Sequence, residues 1–164
     1  MRRQITHSQT PKKRLGAAAV ELALVLPVFL TLTFGAVEVG YAINVSQKLE
    51  SIVRDAGRLA AKDIDPALLV GGITPNQKVI NDVRNMMRAE GYNTANVAVT
   101  IVHADGATAG QSFDLSLATN QYKMMKIRVT IPYTDVRILK MRIASSTVLD
   151  ATLVVSRGRS TLSF

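Results

Sequence analysis

The sequence predicts an α+β protein. A long N-terminal transmembrane helix runs on into a small extracytoplasmic, periplasmic domain, which adds a second helix and a mainly antiparallel sheet of about four strands. Three observations predict it. From Ala17 to Val37 there are 21 residues with a single charge, Glu21. Helical spacing of apolar residues then continues to about Lys62, and after Tyr92 the apolar period changes to two.

The apolar run comes first. At about 1.5 Å of rise per residue it reaches about 30 Å, the thickness of a bilayer's hydrocarbon core. Lys12, Lys13 and Arg14 stand immediately before Leu15 and Gly16. A basic cluster flanking a membrane helix stays in the cytoplasm, so it serves as the orientation signal and sends the rest of the chain outward. The net charge of +8 is concentrated there: residues 1–16 carry +5 with no acid, and the remainder carries +3. That distribution argues against nucleic acid as a partner and for a membrane lipid surface.

Glu21 is the informative exception. A charged residue at mid-depth costs about 2.5–3.5 kcal/mol by insertion scales, and less near an end. Two readings are open. Glu21 lies near the cytoplasmic end and can reach the headgroups. Alternatively, a cut after Gly16 would give Ala17 a new ammonium group. Ala17 and Glu21 are four residues apart, so the two charges could face each other within one helix or between neighbouring helices.

The string Gly16-Ala17-Ala18-Ala19-Val20-Glu21-Leu22-Ala23-Leu24-Val25-Leu26-Pro27-Val28-Phe29, with Phe34-Gly35-Ala36-Val37-Glu38-Val39-Gly40 after it, resembles the TadE-like pseudopilins. These belong to the type IV prepilin class and serve tight adherence (Flp) pilus systems. The resemblance covers Arg14 to Ala61. It implies a minor subunit of a pilus assembly and secretion system, cut between Gly16 and Ala17 by a membrane-embedded aspartic prepilin peptidase. Glu21 would then neutralise the mature N-terminus and set the register with other pilins. It also implies residence in the bacterial inner membrane as a single-pass protein with a cytoplasmic N-terminus, and incorporation in the pilus. Two departures stand out: mature residue one is Ala rather than the Phe usual in major type IV pilins, and the leader is longer and more basic than a minimal one.

Pro27 lacks an amide donor and predicts a helix kink. Glu38, with Tyr41 beside it, reads as a second acid at the outer membrane interface. Beyond it, Ile43, Leu49, Ile52, Val53, Ala56, Leu59 and Ala60 recur at helical spacing, with Lys48, Glu50, Arg54, Asp55, Arg58 and Lys62 on the other faces. Asp65-Pro66 should end this helix. The expected partition is a basic cytoplasmic leader at 1–16, a transmembrane helix at 17–40, its extramembrane continuation at 41–62, and a small α+β domain at 63–164.

Within that domain, Gly71-Gly72 lies in a loop that lacks the Lys-Ser/Thr ending of a phosphate loop. Thr74-Pro75-Asn76-Gln77 predicts a helix start, with Thr74 capping, Pro75 in the first turn and Gln77 reaching back. Val79, Ile80, Val83, Met86 and Met87 mark one face, and Gly91 the stop. Four strands are expected, around Val97–Val102, Phe113–Leu117, Lys126–Tyr133 and Thr147–Val155. Between the last two, Ile138, Leu139 and Met141 are expected to pack or dip to the membrane surface, with Arg137, Lys140 and Arg142 at headgroups.

Enzymatic motifs are missing. There is no cysteine, so disulfides and thiol chemistry are excluded. His103, the one histidine after the leader, is expected to be solvated and has no metal-ligand spacing around it. Asp105, Asp114 and Asp135 are scattered. No catalytic residue, metal or cofactor is assigned. The alternatives to the pilin reading are an uncleaved single-pass structural or sensory protein, a cleaved secretory signal using Gly40-x-Ala42, and a membrane-tethered hydrolase without a recognisable motif.

Overall fold

The computed structural model describes residues 12–62, 64, 69–136 and 147–158. Two compact units divide the chain, Met1–Val39 and Gly40–Phe164. Helix α1 (Lys12–Ala61) contributes to both. It is followed by α2 (Pro75–Ala89) and by strands β1 (Ala98–His103), β2 (Met124–Pro132) and β3 (Val148–Ser156). The sheet order is β1-β2-β3, antiparallel throughout, with Ile127 of β2 opposite both Ile101 and Leu153. The α+β architecture with a long apolar helix, a second helix and an antiparallel sheet is the one the sequence predicts.

In the second unit one sheet face is buried under the helices. β2 supplies Met125, Ile127, Val129 and Ile131 to the core, and α2 supplies Val79, Val83 and Met87. The continuation of α1 adds Val45, Leu49, Ile52, Val53, Ala56 and Ala60, the spacing of one helical stripe. Val45 takes the place expected of Ile43, which is exposed. Gly57 permits the close approach of α1 to β3: a Cβ there would stand 2.3 Å from Leu153 Cδ2.

α2 starts and stops as its sequence signals. Thr74 Oγ1 accepts the Gln77 N–H at 3.2 Å, and Pro75 occupies the first turn. The reciprocal half of the box is not made, because Gln77 Nε2 donates to Asn81 Oδ1 instead. At the far end Gly91 adopts φ 86°, the Tyr92 N–H donates to Met87 O and the Gly91 N–H to Arg88 O. This is the paired 6→1 and 5→2 closure of a Schellman motif, with Tyr92 and Met87 both buried beneath it.

Three differences from expectation have physical causes. α1 starts at Lys12 rather than near Ala17, since Lys, Arg and Leu are good helix formers. The expected strand at Phe113–Leu117 is instead a turn attached by one bridge, Val102 with Ser112. There Asn76 Nδ2 donates to Phe113 O at 2.6 Å, and Asn76 Oδ1 accepts the Leu115 N–H at 2.8 Å. Asp114 Oδ1 accepts from the Ser116 N–H and Oγ, so side chains hold the backbone groups a strand partner would have taken. His103 is buried rather than solvated, its ring 4.6 Å from that of Phe113 at 52°. Asp65, Pro66 and the connector with Arg137, Ile138, Leu139, Lys140, Met141 and Arg142 lie outside the described residues. α1 ends at Ala61, whose carbonyl accepts the Gly158 N–H at 3.0 Å.

Candidate functional site

The unusual chemistry of the chain lies in the first part of α1. From Gly16 onward the helix is apolar enough to cross a membrane, with mean hydropathy 2.1 over its most apolar window and none of that window buried. Leu24 is 72% exposed and Leu32 69%. Such a surface, left to water, forfeits about 25 cal/mol for every Å² of apolar area. It needs lipid or neighbouring apolar helices to cover it.

Within this segment the threonine hydroxyls are satisfied by the helix itself. Thr31 Oγ1 donates to Pro27 O and Thr33 Oγ1 to Phe29 O, both at 2.8 Å. That is how a hydroxyl is accommodated where no water competes. Pro27 sits inside α1 and has no N–H to give the carbonyl of Ala23.

Glu21 is exposed among these apolar side chains, one turn from the equally exposed Ala17. Gly16 has open space where a Cβ would stand. α1 passes through Gly16 and Ala17 without interruption. Glu38 is half-buried near the end of the same unit. Seventeen residues at about 100° each put it roughly 100° around the axis from Glu21, so the two acids do not share a face. Lys12, Lys13 and Arg14 form the first turn of α1.

Elsewhere the polar groups are used structurally. Among the described residues no cluster of three or more His, Cys, Asp or Glu side chains could hold a metal ion. The Asp114 carboxyl is held below its ordinary range by the Ser116 hydroxyl and then the Ser116 backbone N–H. Asp135 accepts from Asn96 Nδ2 at 2.9 Å. Lys48 pairs with Glu90, and that hydrogen bond raises the Lys48 pKa. Burial raises the Tyr92 pKa.

Sequence reasoning missed the scaffold residues Asn76, Gly57 and Arg157. Arg157 is buried and donates through Nη1 to Leu117 O at 2.7 Å. Gly57 had a signal, an isolated glycine within a helical pattern. Asn76 reads as an ordinary helix-surface residue.

Comparison with curated proteins and with solved structures finds no match to the chain. The TadE-like protein family model matches residues 16–58, the segment that carries the exposed apolar helix. One long apolar N-terminal helix fits a single-pass membrane protein of a pilus system. Over that N-terminal helix the chain is similar to the TadE-like proteins, a family tied to tight adherence pilus systems.

Proposed function

We propose that the chain is a minor pilin or pseudopilin of a tight adherence pilus machine, cut by a prepilin peptidase between Gly16 and Ala17 and assembled through α1. The observation that carries this reading is Glu21, the single charge from Ala17 to Val37, exposed on a helix surface that otherwise asks for lipid. Before cutting, its carboxylate lies near the basic, cytoplasmic end of the helix. After cutting, the Ala17 ammonium is within one turn of it, and two unit charges at about 4 Å attract far more strongly in a low-dielectric medium than in water. The pair neutralises two groups that would each oppose burial among neighbouring helices. Lys12, Lys13 and Arg14 hold the leader on the cytoplasmic side. The domain after Gly40 stands on the extracytoplasmic side of the inner membrane, and Glu38 marks the outer interface.

The unbroken helix through Gly16 favours a second reading, an uncleaved single-pass structural or sensory protein. The mass of the purified chain separates them. A first residue of Ala17 supports processing; a chain that retains Lys12–Gly16 in the finished fibre or envelope refutes it. Glu21→Ala is expected to be processed and to remain in the membrane without assembling. Normal assembly of that variant removes Glu21 from the mechanism.

A further inference from the structure

The two edges of the sheet are treated differently. The outer edge of β1 is covered by the chain itself from Ile101 to His103. The His103 N–H donates to Gln111 O, the Gly110 N–H to His103 O, and the Phe113 N–H to Ile101 O, at 2.9, 2.9 and 3.0 Å. The outer edge of β3 has no such cover among the described residues. Arg157, just past β3, directs both its groups to the β2 side: its N–H donates to Lys123 O and its carbonyl accepts from Tyr122. Thr147, just before β3, likewise accepts from the Tyr133 N–H. Backbone groups alternate along an antiparallel strand. The N–H and C=O of Val148, Asp150, Thr152, Val154 and Ser156 therefore point away from β2.

This edge lacks the devices that keep edges from pairing. β3 pairs with β2 over nine residues, Val148–Ser156, in unbroken register, so no bulge twists the edge away. It contains no Pro and no Lys. Its one charge, Asp150, is engaged by Arg128 Nε at 3.1 Å. Beside the edge, α1 and β3 enclose a groove of about 310 Å³. Val53, Ala151 and Leu153 give it an apolar floor, and Glu50 and Arg54 form its rim.

We propose that β3 is a strand-addition site. An extended segment of a different polypeptide, apolar at alternate positions, hydrogen-bonds along its outer edge and places one apolar side chain in the groove against Val53 and Leu153. Only extended backbone presents donors and acceptors at the spacing these five residues offer. A second copy of this chain offers the same edge, and dependence on chain concentration separates it from a different polypeptide. The inference does not depend on cleavage at Gly16.

The test uses the full chain in lipid nanodiscs and a synthetic peptide reproducing Val148–Ser156 as the extended probe. Amide exchange is followed residue by residue. In the chain alone, the amides of Asp150, Thr152 and Val154 should exchange fast, while those of Leu149, Ala151 and Leu153 are protected. Saturating peptide should slow the first set about tenfold or more and leave the second unchanged. Thr152→Pro removes an outward N–H and no bond to β2; it should weaken peptide binding about tenfold with the protection of Ala151 and Leu153 retained. Three results overturn the proposal: no slowing with peptide, protection without peptide that rises with chain concentration (a second copy), and protection without peptide that does not (the chain's own cover).

Discussion

Replacing Asn76 should loosen the domain although nothing in the sequence marks the residue. Its side chain bridges α2 to the turn after β1, giving one hydrogen bond to Phe113 O and accepting one from the Leu115 N–H. Phe113 and Leu115 are themselves buried. Asn76→Ala leaves a carbonyl and an N–H without protein partners at a half-buried site. Two hydrogen bonds at about 1 kcal/mol each, plus part of the 1–3 kcal/mol that an unsatisfied group costs, give a loss of about 2–4 kcal/mol. Alanine's better helix propensity returns about 0.5 kcal/mol of that. Asn76→Asp keeps the acceptor for Leu115 and sits in the first turn of α2, where the helix dipole favours an anion by about 0.3–1 kcal/mol, yet it sets a carboxylate against Phe113 O. It should fall between wild type and Asn76→Ala. The assay is urea unfolding of the full chain in mild detergent, followed by near-UV circular dichroism of the buried Tyr92 and Tyr133. This signal reports the domain rather than the apolar helix. An Asn76→Ala midpoint corresponding to less than about 0.5 kcal/mol would refute the bridge as the reason this segment is a turn and not a strand.

Three further outcomes are expected in the same assay. Gly57→Ala should force the Leu153 side chain to shift, because its Cβ would meet Leu153 Cδ2 at 2.3 Å; Leu153→Ala should therefore cost less in the Gly57→Ala chain than in wild type, and additive effects would show no contact. Gly91→Ala should cost about 1–2 kcal/mol from the left-handed backbone alone, since its φ is 86° and a Cβ there meets nothing within 4 Å. Asp114 has a folded-state pKa below its ordinary 3.8, so its contribution is present above that value and is lost as pH falls through the folded one. Asp114→Asn should therefore be less stable than wild type at neutral pH and converge with it in acid; a gap that persists at low pH would contradict the assignment.

What was legible in the sequence follows from what each pattern physically reports. The long apolar helix was readable because an apolar run of that length has a helical period and almost no charge. The caps of α2 were readable because Thr74 and Gly91 act on backbone groups within a few residues of themselves. The stretch Phe113–Leu117 shows the limit. Its period of two correctly marks Phe113 and Leu115 as buried, while Leu117 is 50% exposed. Alternation states which side chains face the core; it does not state what the backbone bonds to. Here the partner is one amide side chain from a helix 37 residues earlier. His103 was misjudged for the same reason, since its burial depends on the Phe113 ring that this turn delivers.

The same distinction bears on function. The similarity to TadE-like proteins lies in residues 16–58, most of whose environment is set locally by a helix surface and its charges. The domain beyond Gly40 is held by long-range contacts that the sequence announces only in part, and several of its polar side chains, Thr74, Asn76 and Asp114 among them, serve as caps and clamps. Among the described residues, the outward backbone groups of β3 have no backbone partner. The two proposals assign separate tasks: α1 would meet lipid and other helices through side chains, and the sheet edge would meet another chain through its backbone. Variants of Glu21 should then alter assembly without changing exchange along β3, and Thr152→Pro should alter strand addition without changing the mass of the processed chain.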